Sequence, residues 1–209
     1  LAQAGTLSFE SGIPVGGLTL TLTSTDSSLL RLAPDGSTAG TGQLVLPLTA
    51  GTFSRAITMM ALEGVTGSVG ITATITGYRD TTFAITVVAP AVALDGPPAT
   101  RTISAGDIAF QALVGVPVGN GVRQQLVRFG APAPLTVTLT SSAPTVGTLV
   151  IGGVAGSPAA LTIPVGESST SNVVATRANS VGAATPHVRA SSLVTVSMVS
   201  KPAAASAPP

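Results

Sequence analysis

An all-β chain of two tandem β-sandwiches is the architecture this sequence predicts, and three observations predict it. Apolar and polar residues alternate with a period of two over several segments. Clusters of glycine, proline and aspartate separate those segments, and matching strand sequences recur in the second half. No long stretch places apolar residues at helical spacing.

The elements follow in order. Leu18-Thr19-Leu20-Thr21-Leu22-Thr23 puts leucine on one face of an extended strand and threonine on the other. Ile71-Thr72-Ala73-Thr74-Ile75-Thr76 and Leu135-Thr136-Val137-Thr138-Leu139-Thr140 repeat the pattern. Phe83-Ala84-Ile85-Thr86-Val87-Val88 and Leu193-Val194-Thr195-Val196-Ser197-Met198-Val199 read as further strands, since β-branched residues suit a pleated, half-buried surface. Turns are expected at Ala33-Pro34-Asp35-Gly36, across residues 115–121 and at Gly152-Gly153. Asn120-Gly121 is a hairpin signal ahead of a polar segment, Arg123-Gln124-Gln125 to Arg128. That segment reads as a solvated sheet face or a charged edge.

Two blocks recur with one offset. Leu18 to Ser24 matches Leu135 to Ser141, and Leu44-Val45-Leu46-Pro47-Leu48 matches Leu161-Thr162-Ile163-Pro164-Val165; 135 − 18 and 161 − 44 both give 117. The predicted domains are residues 1–90 and 91–200, with a Pro/Ala-rich tail at 201–209. The short connection at Val88-Ala89-Pro90-Ala91 predicts a stiff end-to-end linkage. Ahead of its threonine strand the second copy has 44 residues, Ala91 to Pro134, whereas the first has 17, Leu1 to Gly17. The first copy is therefore expected to lack one or two opening strands. A fragment of a longer repeat array is the favoured explanation, because exposed edges are hazardous; a strand donated by another chain is the other.

The threonine strand ending in Thr-Ser, followed about 20 residues later by a Leu-x-Ile-Pro-Val-Gly segment, resembles the bacterial Ig-like repeats of secreted and cell-surface proteins. The carriers are Leu135 to Ser142 with Leu161 to Gly166, and Leu18 to Ser24 with Leu44 to Leu48. The first copy departs at Thr49-Ala50-Gly51, where the second has Gly166-Glu167-Ser168. The resemblance implies two tandem Ig-like β-sandwich domains of the kind found in stalks, adhesin shafts, surface layers and filaments. It brings no catalytic residues with it.

Composition narrows the function. Charged residues are 8% of the chain, against about 25% in typical soluble proteins. A net charge of +1 leaves no concentrated basic patch for nucleic acid or an anionic membrane. No cysteine is present, so neither a disulfide framework nor a thiolate metal site exists. No apolar run approaches the roughly 18 residues of a spanning helix. The single lysine, Lys201, rules out Lys–Asn isopeptide cross-links inside the fold. Ala2-Gln3-Ala4 resembles the small-residue end of a secretory signal, with no apolar stretch ahead of it.

Candidate sites reduce to bland readings. His187 is the sole histidine, and Glu167 is the nearest acidic residue in sequence; a base or metal ligand needs converging partners. Glu10, Asp26, Asp35, Glu63, Asp80, Asp95, Asp107 and Glu167 stand singly, without the oxygen cluster calcium prefers. A calcium ion at an inter-domain junction near Asp80, Asp95 or Asp107 is a weak alternative. No Gly-x-Ser-x-Gly elbow or Gly-x-x-x-x-Gly-Lys loop occurs. The threonine rows invite an ice-binding reading, which sheet twist of about 20–25° per strand opposes. No catalytic, cofactor-binding or metal residue is assigned, and no cofactor.

The expected protein is a non-enzymatic extracellular building block acting through rigid sandwiches and self-association, or association with neighbouring repeats. Val150, Ile151, Val173, Val174, Met59 and Met60, assigned outside the inner faces, support a sticky surface. The alternative is a binding module recognising carbohydrate or protein through its loops. Against carbohydrate stands the aromatic supply of Tyr78, Phe9, Phe53, Phe83, Phe110 and Phe129.

The alternation makes a direct prediction. Val137→Asp places an unpaired charge in the interior and unfolds the second domain, whereas Thr138→Asp is far milder. Thermal denaturation of both variants reads the difference, and equal losses would mean the faces are misassigned.

Overall fold

The computed structural model describes residues 1–96, 107–119, 121–141, 147–170, 174–178 and 197–198. Among the described residues there are sixteen strands and no helix, and every strand pairing is antiparallel. The chain forms two compact units. The first is Leu1–Pro90 together with Gln125–Pro132; the second is Ala91–Gln124 together with Ala133–Pro209.

The first unit holds β1 (Ala2–Ser8), β2 (Leu18–Ser24), β3 (Leu30–Ala33), β4 (Gln43–Leu48), β5 (Ser54–Ala61), β6 (Gly67–Ile75) and β7 (Thr81–Val87). They make two sheets, ordered β1-β5-β3 and β4-β2-β6-β7. Every connection but the β6–β7 hairpin therefore crosses between the sheets. Leu20, Leu22, Leu46, Leu48, Val69, Ile71 and Val87 from one sheet share a buried core with Leu30, Leu32 and Ile57 from the other. Leu22, Leu32 and Ile71 are fully buried, without a charged neighbour in that cluster. Burying each such side chain contributes about 1.5–3 kcal/mol, which is how a fold without disulfides closes.

Turn chemistry sets the ends. Asp26 Oδ1 accepts the Ser28 amide at 2.9 Å and its hydroxyl at 2.6 Å. Asp35 Oδ1 accepts the Ser37 amide and hydroxyl, each at 2.9 Å. Short aspartate side chains fold the backbone back on itself in this way. In both carboxyls the serine hydrogen bonds favour the ionised form, joined at Asp35 by the Thr38 hydroxyl as the largest contribution, and hold the pKa below the ordinary value.

The second unit contains β8 (Ala91–Asp95), β9 (Ile108–Val118), β10 (Gly121–Gln124), β11 (Leu135–Leu139), β12 (Gly147–Ile151), β13 (Val154–Gly156), β14 (Ala159–Ile163), β15 (Val174–Ala178) and β16 (Ser197–Met198). Its sheets run β10-β9-β15-β12-β13, with β8 also on β9, and β14-β11-β16. The pairing scheme of the first unit recurs here. Strand β15 lies between β9 and β12 as β5 lies between β1 and β3, and β11 lies between β14 and β16 as β2 lies between β4 and β6. The register recurs too: Leu30 faces Ala61, and 117 positions on Gly147 faces Ala178.

One half of the sequence repeat is shifted. Leu44 stands opposite Leu22, but its sequence counterpart Leu161 stands opposite Val137, the counterpart of Leu20. Strand β14 is thus two residues out of its expected register. The cause is the preceding turn. Eight residues separate the bridged pair Leu32 and Thr41, and six separate Leu149 from Gly156 in the β12–β13 hairpin. A slip of two keeps every side chain on its own face, so Leu161 and Ile163 are buried as Leu46 and Leu48 are.

The faces expected of the two threonine strands are observed. β2 and β11 share one burial pattern over their common length, with Val137 fully buried and Thr138 part-exposed. The Leu193–Val199 strand is described only at Ser197–Met198, which pair with β11. Gly121 pairs with Val118, giving the expected hairpin, although Asn120 lies outside the described residues.

Gly115 is indispensable to this second unit. It pairs with Ala91 of β8 and with Gln124 of β10, and an added Cβ would fall on the carbonyl group of Arg123. Backbone cannot give way there as a flexible side chain can. Gly115→Ala is expected to destabilise the unit by more than the about 1–3 kcal/mol of ordinary overpacking, read as a lowered denaturation midpoint. Gly152→Ala, with open space around it, costs only the strain of its left-handed backbone, φ +57.

Candidate functional site

Three regions of the first unit place polar or aromatic chemistry at the surface: the threonine face of β4-β2-β6-β7, the loops at one end, and the clasp made by residues 125–132. None of the four strands in the threonine sheet contains an ionisable side chain. Thr23 stands opposite Thr72, and Thr72 opposite Thr82, so three strands place threonine in one row. Thr21 faces Thr74 in the next. The Thr72 and Thr82 hydroxyls hydrogen-bond at 2.9 Å, and Gln43 Nε2 donates to Thr23 Oγ1 at 3.3 Å. These hydroxyls are partly spent on one another, as cross-strand threonine pairs are. The row in the second unit is interrupted, because Thr136 faces Thr162 but Thr138 faces Ala160.

At the end of the first unit, residues 9–17 and 49–53 are laced together. The Phe9 amide donates to Phe53 O at 2.9 Å, the Ile13 amide to Thr52 O at 3.1 Å and the Gly51 amide to Ile13 O at 2.8 Å. Val15 is fully exposed here, and Phe53 is 62% exposed. A shallow depression lies between Gly16, Gly17, Thr19, Pro47 and Thr76. Tyr78, also largely exposed, sits in the β6–β7 turn. Phe110 is buried, and Phe9 packs on the core of the first unit.

The clasp is what sequence reasoning missed. The Ala2 amide donates to Leu126 O at 2.7 Å, extending the β1 edge with a residue far along the chain. Arg128, expected on a solvated face, is buried. Its Nε donates to Glu63 Oε1 at 2.8 Å, Nη2 to Glu63 Oε2 at 2.6 Å and Nη1 to Gly130 O at 2.9 Å. Bidentate geometry of this kind suits a planar guanidinium. Partial burial pushes the Glu63 carboxyl up, but hydrogen bonds and charge from Arg128 outweigh it and hold the pKa below the ordinary glutamate range.

The apolar residues assigned to the surface sort differently. Met60 is fully buried with Ala2 and Ala33, and Val150 is buried. Met59 is half-buried against the core, and Ile151 is half-buried. The β1-β5-β3 sheet therefore buries side chains on both faces: Ile57 on one, Thr58 and Met60 on the other. Val173 and His187 lie outside the described residues, as do Lys201 and the tail. Asp80, Asp95, Asp107 and Glu167 are exposed, and no three acidic or histidine side chains gather among the described residues. Arg123 and Gln124 are exposed on β10, where Gln124 Oε1 accepts the Ser168 hydroxyl at 2.9 Å.

Comparison with family models, with curated proteins and with solved structures finds no match in any of the three.

The clasp makes an asymmetric prediction. The Arg128 side chain is 8% exposed and that of Glu63 42%, so Glu63→Ala strands a buried cation while Arg128→Met frees a carboxylate that water can reach. Glu63→Ala is expected to lower the melting temperature of the first unit more than Arg128→Met. A lowered folded-state pKa stabilises above the unfolded pKa and is lost as pH falls through the folded one. The Glu63 contribution to melts across pH is therefore level near neutrality and declines below the ordinary glutamate range, and Glu63→Gln removes that share of the decline. An unchanged acid profile would count against the pairing.

Proposed function

We propose that this chain is a non-enzymatic structural building block of an extracellular bacterial filament, adhesin stalk or surface layer. The observation that supports the reading is the recurrence of the first unit's pairing scheme in the second, with the β3–β5 register repeated 117 residues along the chain. Repeated units whose stability is internal are a means of setting length and spacing. The charge-free threonine sheet fits the same role, since it offers hydroxyls for solubility without a field that selects a charged ligand.

Within this reading both units are Ig-like in the broad sense of a β-sandwich. Their strand order differs from the constant-type scheme, in which the first, second, fourth and fifth strands share a sheet. In the first unit the first, third and fifth do. Sandwich domains of cell-surface proteins share architecture without sharing topology. The resemblance in Leu18 to Ser24 and Leu135 to Ser141 supports the surface location.

A binding module is the second reading, favoured by the exposed Val15 and Phe53 on the laced loops and by Tyr78. Aromatic rings at loop tips stack on sugars or anchor protein partners.

Electron microscopy of native material labelled with an antibody to this chain separates the two. Labelled fibres or lattices are expected. Isolated particles whose binding to a glycan or protein is lost in Phe53→Ala and Tyr78→Ala would replace the building block with the binding module.

A further inference from the structure

The first unit has four sheet edges, and three of them are guarded. The β1 edge carries Leu126 through the Ala2 amide, and Gln3 hydrogen-bonds Gln125. The β3 edge is closed by Thr41, whose amide and carbonyl both bond Leu32, at 2.9 and 2.8 Å; Arg31 adds a charge. The β4 edge contains Pro47, which has no amide hydrogen to offer. The fourth edge, β7, has none of these devices. Thr81-Thr82-Phe83-Ala84-Ile85-Thr86-Val87 is seven residues long, uncharged and free of proline, and it pairs only with β6 among the described residues. A row of backbone donors and acceptors on its outer side is a template for another strand.

We propose that β7 is the contact through which a second copy of this chain docks, antiparallel about a two-fold axis at Ala84. Backbone groups at an edge are satisfied by a strand, and the sequence of β7 is complementary to itself. With Ala84 opposite Ala84, Phe83 falls opposite Ile85 and Thr82 opposite Thr86, while the end pair sets Thr81 against Val87. Each copy's apolar face then continues into the other's, and each threonine face likewise, as antiparallel cross-strand pairs require. Phe83, 37% exposed, gains an apolar neighbour. The nearest charges, Arg79 and Asp80, fall opposite Ala89 and Val88, so like charge never meets like. The product is a continuous eight-stranded sheet made of two four-stranded ones, an isologous contact that closes on itself. This deepens the building-block reading by giving its self-association a surface, and it rests on that reading.

Ala84 is exposed and directed away from the core, so it tests the contact without testing the fold. Ala84→Lys brings two ammonium groups together at the two-fold axis. Sedimentation of the full chain from micromolar to millimolar concentration is expected to show a dimer that Ala84→Lys loses, with the thermal unfolding unchanged. Because the protein has no cysteine, Ala84→Cys provides a unique thiol. Cysteines directly opposite across an antiparallel pair lie within disulfide reach, so this variant is expected to cross-link as a dimer under mild oxidation. Val45→Cys, exposed on β4, is expected to stay monomeric. A wild-type chain that remains monomeric throughout overturns the proposal. So does association that survives Ala84→Lys, or equal cross-linking through Val45→Cys. Failure of the building-block reading is a separate result, native material without labelled assemblies, and it does not depend on any Ala84 variant.

Discussion

Apolar side chains from two facing sheets, meeting without a charge or a disulfide among them, hold the first unit together. Leu22, Leu32 and Ile71 are its fully buried centre, and Leu22 and Ile71 come from strands whose alternate residues turn toward the opposite, more exposed face. This arrangement constrains everything else. Where the period of two is kept, a strand can slide by two residues and lose nothing, as β14 does. A slide by one would bury threonine hydroxyls in place of leucine. The interior thus fixes the face of every strand while leaving its longitudinal position to the turns.

Edges are the second constraint, and they follow from the first. A core made by sheet packing leaves the outermost strands of each sheet with unsatisfied backbone groups. The first unit answers with local devices on three edges, one of them borrowed from residues 125–132. The Glu63–Arg128 pair gives that borrowed segment its position. Such a pair adds little net stability against an apolar replacement, yet it is costly to break from one side. Its value is registry: the bidentate fork holds Arg128 in one place, and Leu126 then lies along β1.

The strands with strict alternation were legible in the sequence, and their faces with them. Leu18 to Thr23 and Leu135 to Leu139 show it best, because the apolar side chains are the more buried and the threonines the more exposed. Three features were not legible, each for a physical reason. The clasp depends on a contact across 65 positions between one glutamate and one arginine, and isolated charges carry no periodic signal. Burial of Met60 behind the β1-β5-β3 sheet requires a layer on its outer side, which breaks the assumption that one face of an antiparallel sheet meets water. The slip of β14 leaves alternation intact, so periodicity is blind to it. A difference in loop length between Leu32–Thr41 and Leu149–Gly156 was the available clue.

A surface with few charges needs some other means of staying selective in its contacts. Charge ordinarily separates neighbouring molecules and blunts sheet edges at once. Here the two tasks are divided. Threonine hydroxyls, partly paired across strands as at Thr72 and Thr82, keep the broad face hydrated, whereas backbone devices deal with the edges one by one. The consequence is directional. A face covered by weakly interacting hydroxyls offers no preferred register to a second molecule, but an open strand edge offers one hydrogen-bond ladder and one parity of side chains. Any association of such a molecule would therefore be governed by which edges are left open, more than by how apolar its surface is.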